Sequence, residues 1–241
     1  MTSYQGMAIN QGLAYGKVRV VSAKTAPVPP RKADDNQIRL LEDAIHKSAL
    51  RLEQQAKAAV SGCSQAVASI YEAHSLMVKD PLLINQALEL IKNHNMSAYT
   101  AYHTASQNII RQFSEMTNDY MKNRIIDIED AIGRVLAALR GDDYEESYDF
   151  FEPRILVLDR LRPSVLFNCS KKHVAGLIAE NGAYNEHSCL IIRCKDVPAL
   201  VIQEAGKLLD NDDRVLMDCD KGLLFRNPDP TFMNIYLKER R

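Results

Sequence analysis

The sequence predicts a mixed α/β (α+β) fold, with one domain made from both chain ends and a four-helix bundle inserted into it. Three observations carry this reading. Strand-like apolar patterning is confined to the two ends of the chain, helical periodicity governs the middle, and the first strand finds no partner within that middle.

The elements follow in order. Gly16-Lys-Val-Arg-Val-Val-Ser-Ala23 alternates after a glycine-bearing turn, as a half-buried strand does. Ala26-Pro-Val-Pro-Pro30 then breaks regular structure and reads as a linker. From about Ala33 to Arg140 the period is helical. Ile38, Leu41, Ile45, Ser48, Leu52, Ala56 and Ala59 recur at spacings of three and four, and Gly62 ends that run. Val67, Ile70, His74, Met77 and Val78 share one face of a second helix, which Pro81 kinks or restarts. Ser97 is a good N-cap for a third helix reaching about Met116. Tyr120, Arg124, Asp127, Ile128, Ala131, Val135 and Leu139 mark a fourth, with Gly141 as its stop.

Beyond Asp142 short apolar runs return: Arg154–Asp159, Val174–Ala179, Ala199–Ile202 and Arg214–Asp218. Asp220-Lys-Gly222 reads as a hairpin turn into Leu223-Leu-Phe-Arg226. The economical division is therefore residues 1–32 with 143–230 as the α/β domain and 33–142 as the bundle. Residues 231–241 begin a further helical linker.

Composition narrows the function classes. The 241 residues are 46% hydrophobic and 25% charged, ordinary globular values, with a net charge of −1. No basic stripe is present, which argues against nucleic acid or an anionic membrane surface as partner. Five cysteines, odd in number and without a CxxC pair, make no disulfide framework and fit a reducing, cytoplasmic setting. No signal peptide or membrane-length apolar run is seen. His187, Cys189 and Cys194 do not make a zinc pattern, and Asp210-Asn-Asp-Asp213 reads as a turn, so no metal site is expected. Tyr99, Tyr102 and His103 read as bundle packing.

One histidine sits where chemistry is possible. Asn181-Gly-Ala-Tyr-Asn-Glu-His187 is a polar loop, and Ser188-Cys-Leu-Ile-Ile-Arg193 resumes an apolar, helical run. His187 thus falls near a helix N-terminus, where a phosphoryl group meets backbone N–H donors and the positive end of the helix dipole. Neutral imidazole, with an ordinary pKa of about 6.5, is a competent nucleophile there. On these residues alone, simple capping of the helix is the stronger reading.

Five motifs in register alter that balance. Ala8-Ile-Asn-Gln-Gly-Leu-Ala-Tyr-Gly-Lys17, Ile70-Tyr-Glu-Ala-His-Ser-Leu-Met77, Asp119–Asp130, Glu180–Val201 and Asn227-Pro228 together resemble the amino-terminal region of Enzyme I of the bacterial phosphoenolpyruvate–sugar phosphotransferase system. The resemblance runs from Met7 to Pro228 and places the family's histidine on His187. It implies a swivelling β/β/α phosphohistidine domain with the bundle inserted. It also implies a reaction: a separate carboxy-terminal barrel binds phosphoenolpyruvate and Mg²⁺ and phosphorylates the histidine, which passes the group to the carrier HPr. The chain itself needs no cofactor on this reading, and dimerisation is not expected without the barrel. On the bundle, His74, Met77, Arg124 and Asp127 are the expected HPr-facing residues.

The chain also departs from the pattern. Gly182-Ala183 replaces a glycine pair, and Asn185-Glu186 replaces Thr-Ser before the histidine. Arg162 stands where the family has a threonine, and Ser64–Ser69 is nearly uncharged where carboxylates usually face the carrier. Glu186 is expected to oppose an incoming phosphoryl group, whereas Arg162 and Arg193 are expected to attract it. The rival function is a degenerate Enzyme I-like binding or regulatory module that no longer transfers phosphate. A third reading, the mobile histidine domain of a pyruvate phosphate dikinase or phosphoenolpyruvate synthase, is disfavoured by the bundle's early position.

Overall fold

The computed structural model describes residues 1–21, 36–116, 124–142, 144, 148–180 and 184–240. Two compact units divide the chain. One comprises Met1–Lys24, Ser147–Leu161 and Asn168–Arg241; the other comprises Thr25–Glu146 with Arg162–Phe167. The proline-rich stretch Ala26–Pro30, the loop glycine Gly182 and Tyr120 lie outside the described residues.

The first unit is built on one eight-stranded sheet. Its strands are β1 (Thr2–Gln5), β2 (Met7–Asn10), β3 (Leu13–Val21), β4 (Arg154–Leu158), β5 (Val174–Ala179), β6 (Ala199–Val201), β7 (Arg214–Asp218) and β8 (Leu223–Arg226). Their order is β1-β8-β7-β3-β4-β5-β6-β2. The amino-terminal β3 runs parallel to β4 and antiparallel to β7, so the strand from the chain start is paired by strands from the chain end. Parallel strands buried on both faces read as continuous apolar runs, and β4 does so: Ile155, Leu156, Val157 and Leu158 are each 2% exposed or less. Val18, Ile178, Leu200, Val215, Met217 and Leu224 complete a core in which each large side chain contributes roughly 1.5–3 kcal/mol of burial.

The two outermost strands are consecutive in sequence. β1 pairs antiparallel with β8 and β2 pairs antiparallel with β6, so one stretch of nine residues forms both edges of the sheet. β1 and β2 are thus the edge strands, and each is only four residues long, which limits the template for pairing with another chain. The crossing needs glycine: Gly6 donates to the Gly222 carbonyl at 2.8 Å, and a Cβ on Gly6 would lie 2.6 Å from the Val201 carbonyl oxygen.

The second unit is helical. It contains α1 (Gln37–Gly62), α2 (Gln65–Val78), α3 (Pro81–His94), α4 (Ala98–Glu115) and α5 (Ile125–Arg140), together with the short α6 (Pro163–Phe167). Side-chain caps set the boundaries: Ser64 accepts from Val67 N, Asp80 from Leu82 N and Ser97 from Thr100 N. Gly141, at φ 81°, closes α5 in the left-handed conformation that glycine adopts freely. The expected four helices become five long ones among the described residues. Pro81, capped by Asp80, starts a new helix where it sits harmlessly in the first turn. Leu41, Leu52, Tyr71, Tyr102 and Val135 are fully buried in this unit.

Three further helices belong to the sheet unit: α7 (Glu186–Lys195), α8 (Ala205–Leu208) and α9 (Pro230–Glu239). The segment expected to start a linker is α9, and it is anchored on the sheet. Phe232 and Tyr236 pack on Phe225 at ring distances of 4.9 and 5.0 Å. Asp218, fully buried at the end of β7, accepts from Tyr236 Oη at 2.5 Å and Arg240 Nε at 2.8 Å. No described helix is long and apolar enough to cross a membrane.

Candidate functional site

Helix α7 is built to present its first turn. Asn185, extended at φ −137° and ψ −177°, is the N-cap, and its side-chain oxygen accepts from Ser188 N at 2.9 Å. Ile191 and Ile192, both fully buried, fix the helix in the core one turn further on. His187 is therefore the second residue of a capped, ten-residue helix, and it is half-buried while its neighbour Glu186 is exposed. Ser188, fully buried, donates its hydroxyl to the Leu161 carbonyl at 2.5 Å, tying this turn to the chain just after β4. The helix ends at Asp196 in the left-handed conformation, with exposed Arg193 in its last turn.

The electrostatics of α7 are mixed. Burial pushes the Cys189 thiol above its usual value, Arg193 pulls it down and Glu186 pushes it up. Both charges thus act on the helix face that carries Cys189, one turn or less from His187. An anion at the amino-terminal end of α7 would be favoured by the helix dipole and opposed by Glu186. Cys169, Cys189 and Cys219 are free thiols.

Of the residues expected around the phosphoryl group, Glu186, His187 and Arg193 share α7. Arg162 belongs to the helical unit, where it is half-buried. There its guanidinium lowers the pKa of the Tyr144 hydroxyl, against the larger upward push of burial and of Asp130.

The motif histidine of the helical unit has a different setting. His74 on α2 is completely buried, with Nε2 3.5 Å from Asp127 Oδ1 and Nδ1 3.8 Å from Asp130 Oδ2. Neither contact qualifies as a hydrogen bond. Asp130 accepts from Ser164 N at 3.0 Å, from Tyr144 Oη at 3.1 Å and from the Ser164 hydroxyl, and buried Arg134 lies 3.9 Å away. Arg124 pairs with Asp127 at 3.6 Å.

The expectation that all four bundle residues face a carrier is therefore corrected for two of them. His74 and Asp127 are fully buried inside the helical unit, which keeps both side chains from a docked protein. Met77 and Arg124 remain half-buried. Asp130, Arg134, Tyr144 and Ser164 were not singled out in the sequence. The available signal was Asp127, Asp130 and Arg134 falling on the same side of α5 as Ala131 and Val135. Asn185 and Ser188 were likewise missed, although Asn is a preferred N-cap. Among the described residues no cluster of metal-ligating side chains occurs.

Comparison with known proteins places this architecture. The model of the PEP-utilising enzyme amino-terminal region matches residues 5–124, and that of the PEP-utilising enzyme mobile domain matches residues 150–222, which include His187. The chain belongs to the PEP-utilising enzyme family. Within it, the likeness is to the amino-terminal region of Enzyme I. It is 29% identical to a phosphoenolpyruvate-protein phosphotransferase of Priestia megaterium, covering 98% of this chain and 42% of that protein. It is 26% identical to one of Mycoplasma capricolum, covering 91% of this chain and 39% of that protein. It thus spans about two fifths of the length of these relatives. A solution structure of Enzyme I (nEIt) has the same fold, with a TM-score of 0.76 at 22% identity over 98% of this chain and 97% of that one. An amino-terminal domain of a nitrogen-type Enzyme 1 aligns with a TM-score of 0.64 at 18% identity, over 97% and 98% of the two chains.

Proposed function

We propose that this chain carries a phosphoryl group on His187 and relays it between phosphoenolpyruvate and an HPr-like carrier protein. The observation that supports this best is the setting of His187, half-open to solvent on the first turn of a capped helix, inside the region matched as a mobile domain. The lone pair of one ring nitrogen forms the N–P bond as the donor's bond to phosphorus breaks. The helix dipole offsets the phosphoryl charge, so catalysis rests on alignment and electrostatics. Arg193 is the cation that shares α7 with the charge, and Glu186 opposes it.

On this reading the sheet unit swivels between donor and acceptor in the cytoplasm. Phosphoenolpyruvate and Mg²⁺ bind to a part of the relatives that this chain does not match. The carrier docks on the helical unit, around Met77 and Arg124. Leu76, 69% exposed, adjoins Met77 on α2 and offers apolar contact area there.

The test is intact-mass analysis after mixing the chain with phosphorylated HPr. One acid-labile phosphoryl group is expected, and none in His187→Ala. Phosphoenolpyruvate with Mg²⁺ alone should leave the 241-residue chain unlabelled. An unlabelled wild-type chain, under conditions that label an ordinary Enzyme I domain, would favour a non-transferring binding module. Exposed Glu186 beside the histidine is the feature that motivates that second reading.

A further inference from the structure

Between Asn185, which stands where the motif has a threonine, and Leu161 runs a short buried relay. Asn185 Oδ1 lies 2.9 Å from both the backbone nitrogen and the hydroxyl of Ser188. The hydroxyl is also 2.5 Å from the carbonyl of Leu161, 27 residues earlier. Asn185 is 6% exposed and Ser188 is fully buried. Such buried polar atoms are costly unless paired, and here each pairs with the other or with a fixed backbone carbonyl. The residues flank His187 on both sides in position, at i−2 and i+1. Neither is a nucleophile in this arrangement, because the amide oxygen is an acceptor and the Ser188 hydroxyl is committed to acceptors within the fold.

We infer that Asn185 and Ser188 are positioning residues for phosphoryl transfer at His187. They lock the first turn of α7 to the strand-end segment at Leu161 and thereby hold the imidazole in one place. The inference rests on the relay function proposed for His187. The physical reason is geometric. In transfer from a phosphohistidine donor, one N–P bond forms on His187 while the donor's N–P bond breaks and its electron pair returns to the donor imidazole. Nothing else is exchanged, so the rate depends on how closely the ring is held in line. A displacement of about 1 Å from a remote change can cost on the order of 100-fold in such a step. A helix that has lost its N-cap frays over the first turn, where His187 lies.

Two readouts separate positioning from mere folding. In ¹H–¹³C spectra of the imidazole rings, Asn185→Ala should shift or broaden the His187 signals and leave those of exposed His46 and His103 unchanged. With phosphorylated HPr as donor, the same variant should lose about 10- to 100-fold in labelling rate. Asn185→Ser, which keeps a capping oxygen, should restore both readouts in large part. Should Asn185→Ala fail to fold, Ser188→Ala removes the tie to Leu161 but leaves the backbone cap, and a shifted His187 signal is again expected. Unchanged ring signals and rates in the folded variants would overturn the inference. So would a slowed rate with unchanged ring signals and no rescue by serine. If the wild-type chain takes no label at all, the relay function falls, and the ring signals alone still decide whether Asn185 and Ser188 hold His187.

Discussion

His187 and His74 are the same residue in opposite circumstances. His187 stands on the first turn of α7, half-buried, with its position set by a backbone cap and by a serine tied to a neighbouring segment. His74 lies in the core of the helical unit with no solvent exposure, between two carboxylates that are themselves held by tyrosine, serine and arginine. The first arrangement leaves the ring open to a reactant and fixes only its base. The second fixes everything and admits nothing. Availability to a phosphoryl donor therefore follows from how the ring is held, not from the presence of a histidine in a recognisable motif, since both occur in motifs.

The comparison breaks most sharply at Asp130. Its carboxylate takes donors from Ser164 and Tyr144 and faces Arg134 and His74, so Asp130→Ala leaves several buried polar groups without their shared partner. A loss of about 3–5 kcal/mol is expected from removing one member of such a network, read from the urea midpoint. Next in size is the contrast between the two histidines. His74→Ala opens space in a sealed core and should cost about 2–4 kcal/mol, whereas His187→Ala should stay within about 1 kcal/mol of wild type. Equal losses for both would mean that His187 is as structural as His74.

A smaller effect concerns the anchor of α9. Hydrogen bonds from Tyr236 and Arg240 hold the Asp218 carboxyl below its ordinary pKa of 3.8, outweighing the upward push of burial. A carboxylate with a lowered native pKa adds stability that is complete above 3.8 and is lost as the pH falls through the native value. Asp218→Asn should therefore melt below wild type at pH 7, and the gap should close as the pH falls below 3.8. A constant gap would point to lost packing instead of lost charge. The smallest change is expected at Glu186. Glu186→Ser removes an exposed charge beside the phosphoryl group and should raise phosphoryl occupancy at equilibrium by about two- to five-fold, read by intact mass.

Much of this fold was legible because its signals are periodic and local. The α1 stripe from Ile38 to Ala59, the apolar run of β4 and the stop at Gly141 each depend on neighbours within one element. What escaped depends on partners far away. Thr2–Gln5 alternates too weakly to announce a strand, since only Tyr4 is even half-buried, and its pairing with β8 is made by the backbone. The α6 segment lies among residues that read as α/β in sequence, but its Ser164 bonds to Asp130 of the helical unit. The motif singles out His187 as a candidate, whereas the cap and tie that hold it were not legible, because Leu161 contributes only a carbonyl and a carbonyl has no sequence signature. His74 was misplaced for a related reason. An apolar stripe shows which face is buried, but burial with two carboxylates cannot be told from exposure to a partner until Asp127 and Asp130 are seen to close over the ring.

The central claim is that phosphoryl chemistry resides on the capped, half-open histidine and not on the sealed one. Site mapping of the label is the most direct test: wild-type chain is exposed to phosphorylated HPr, digested under alkaline conditions that preserve phosphohistidine, and sequenced by mass spectrometry. The account predicts a single modified peptide carrying His187, absent in His187→Ala and retained in His74→Gln. Label on the peptide carrying His74, or label that survives His187→Ala, would contradict it.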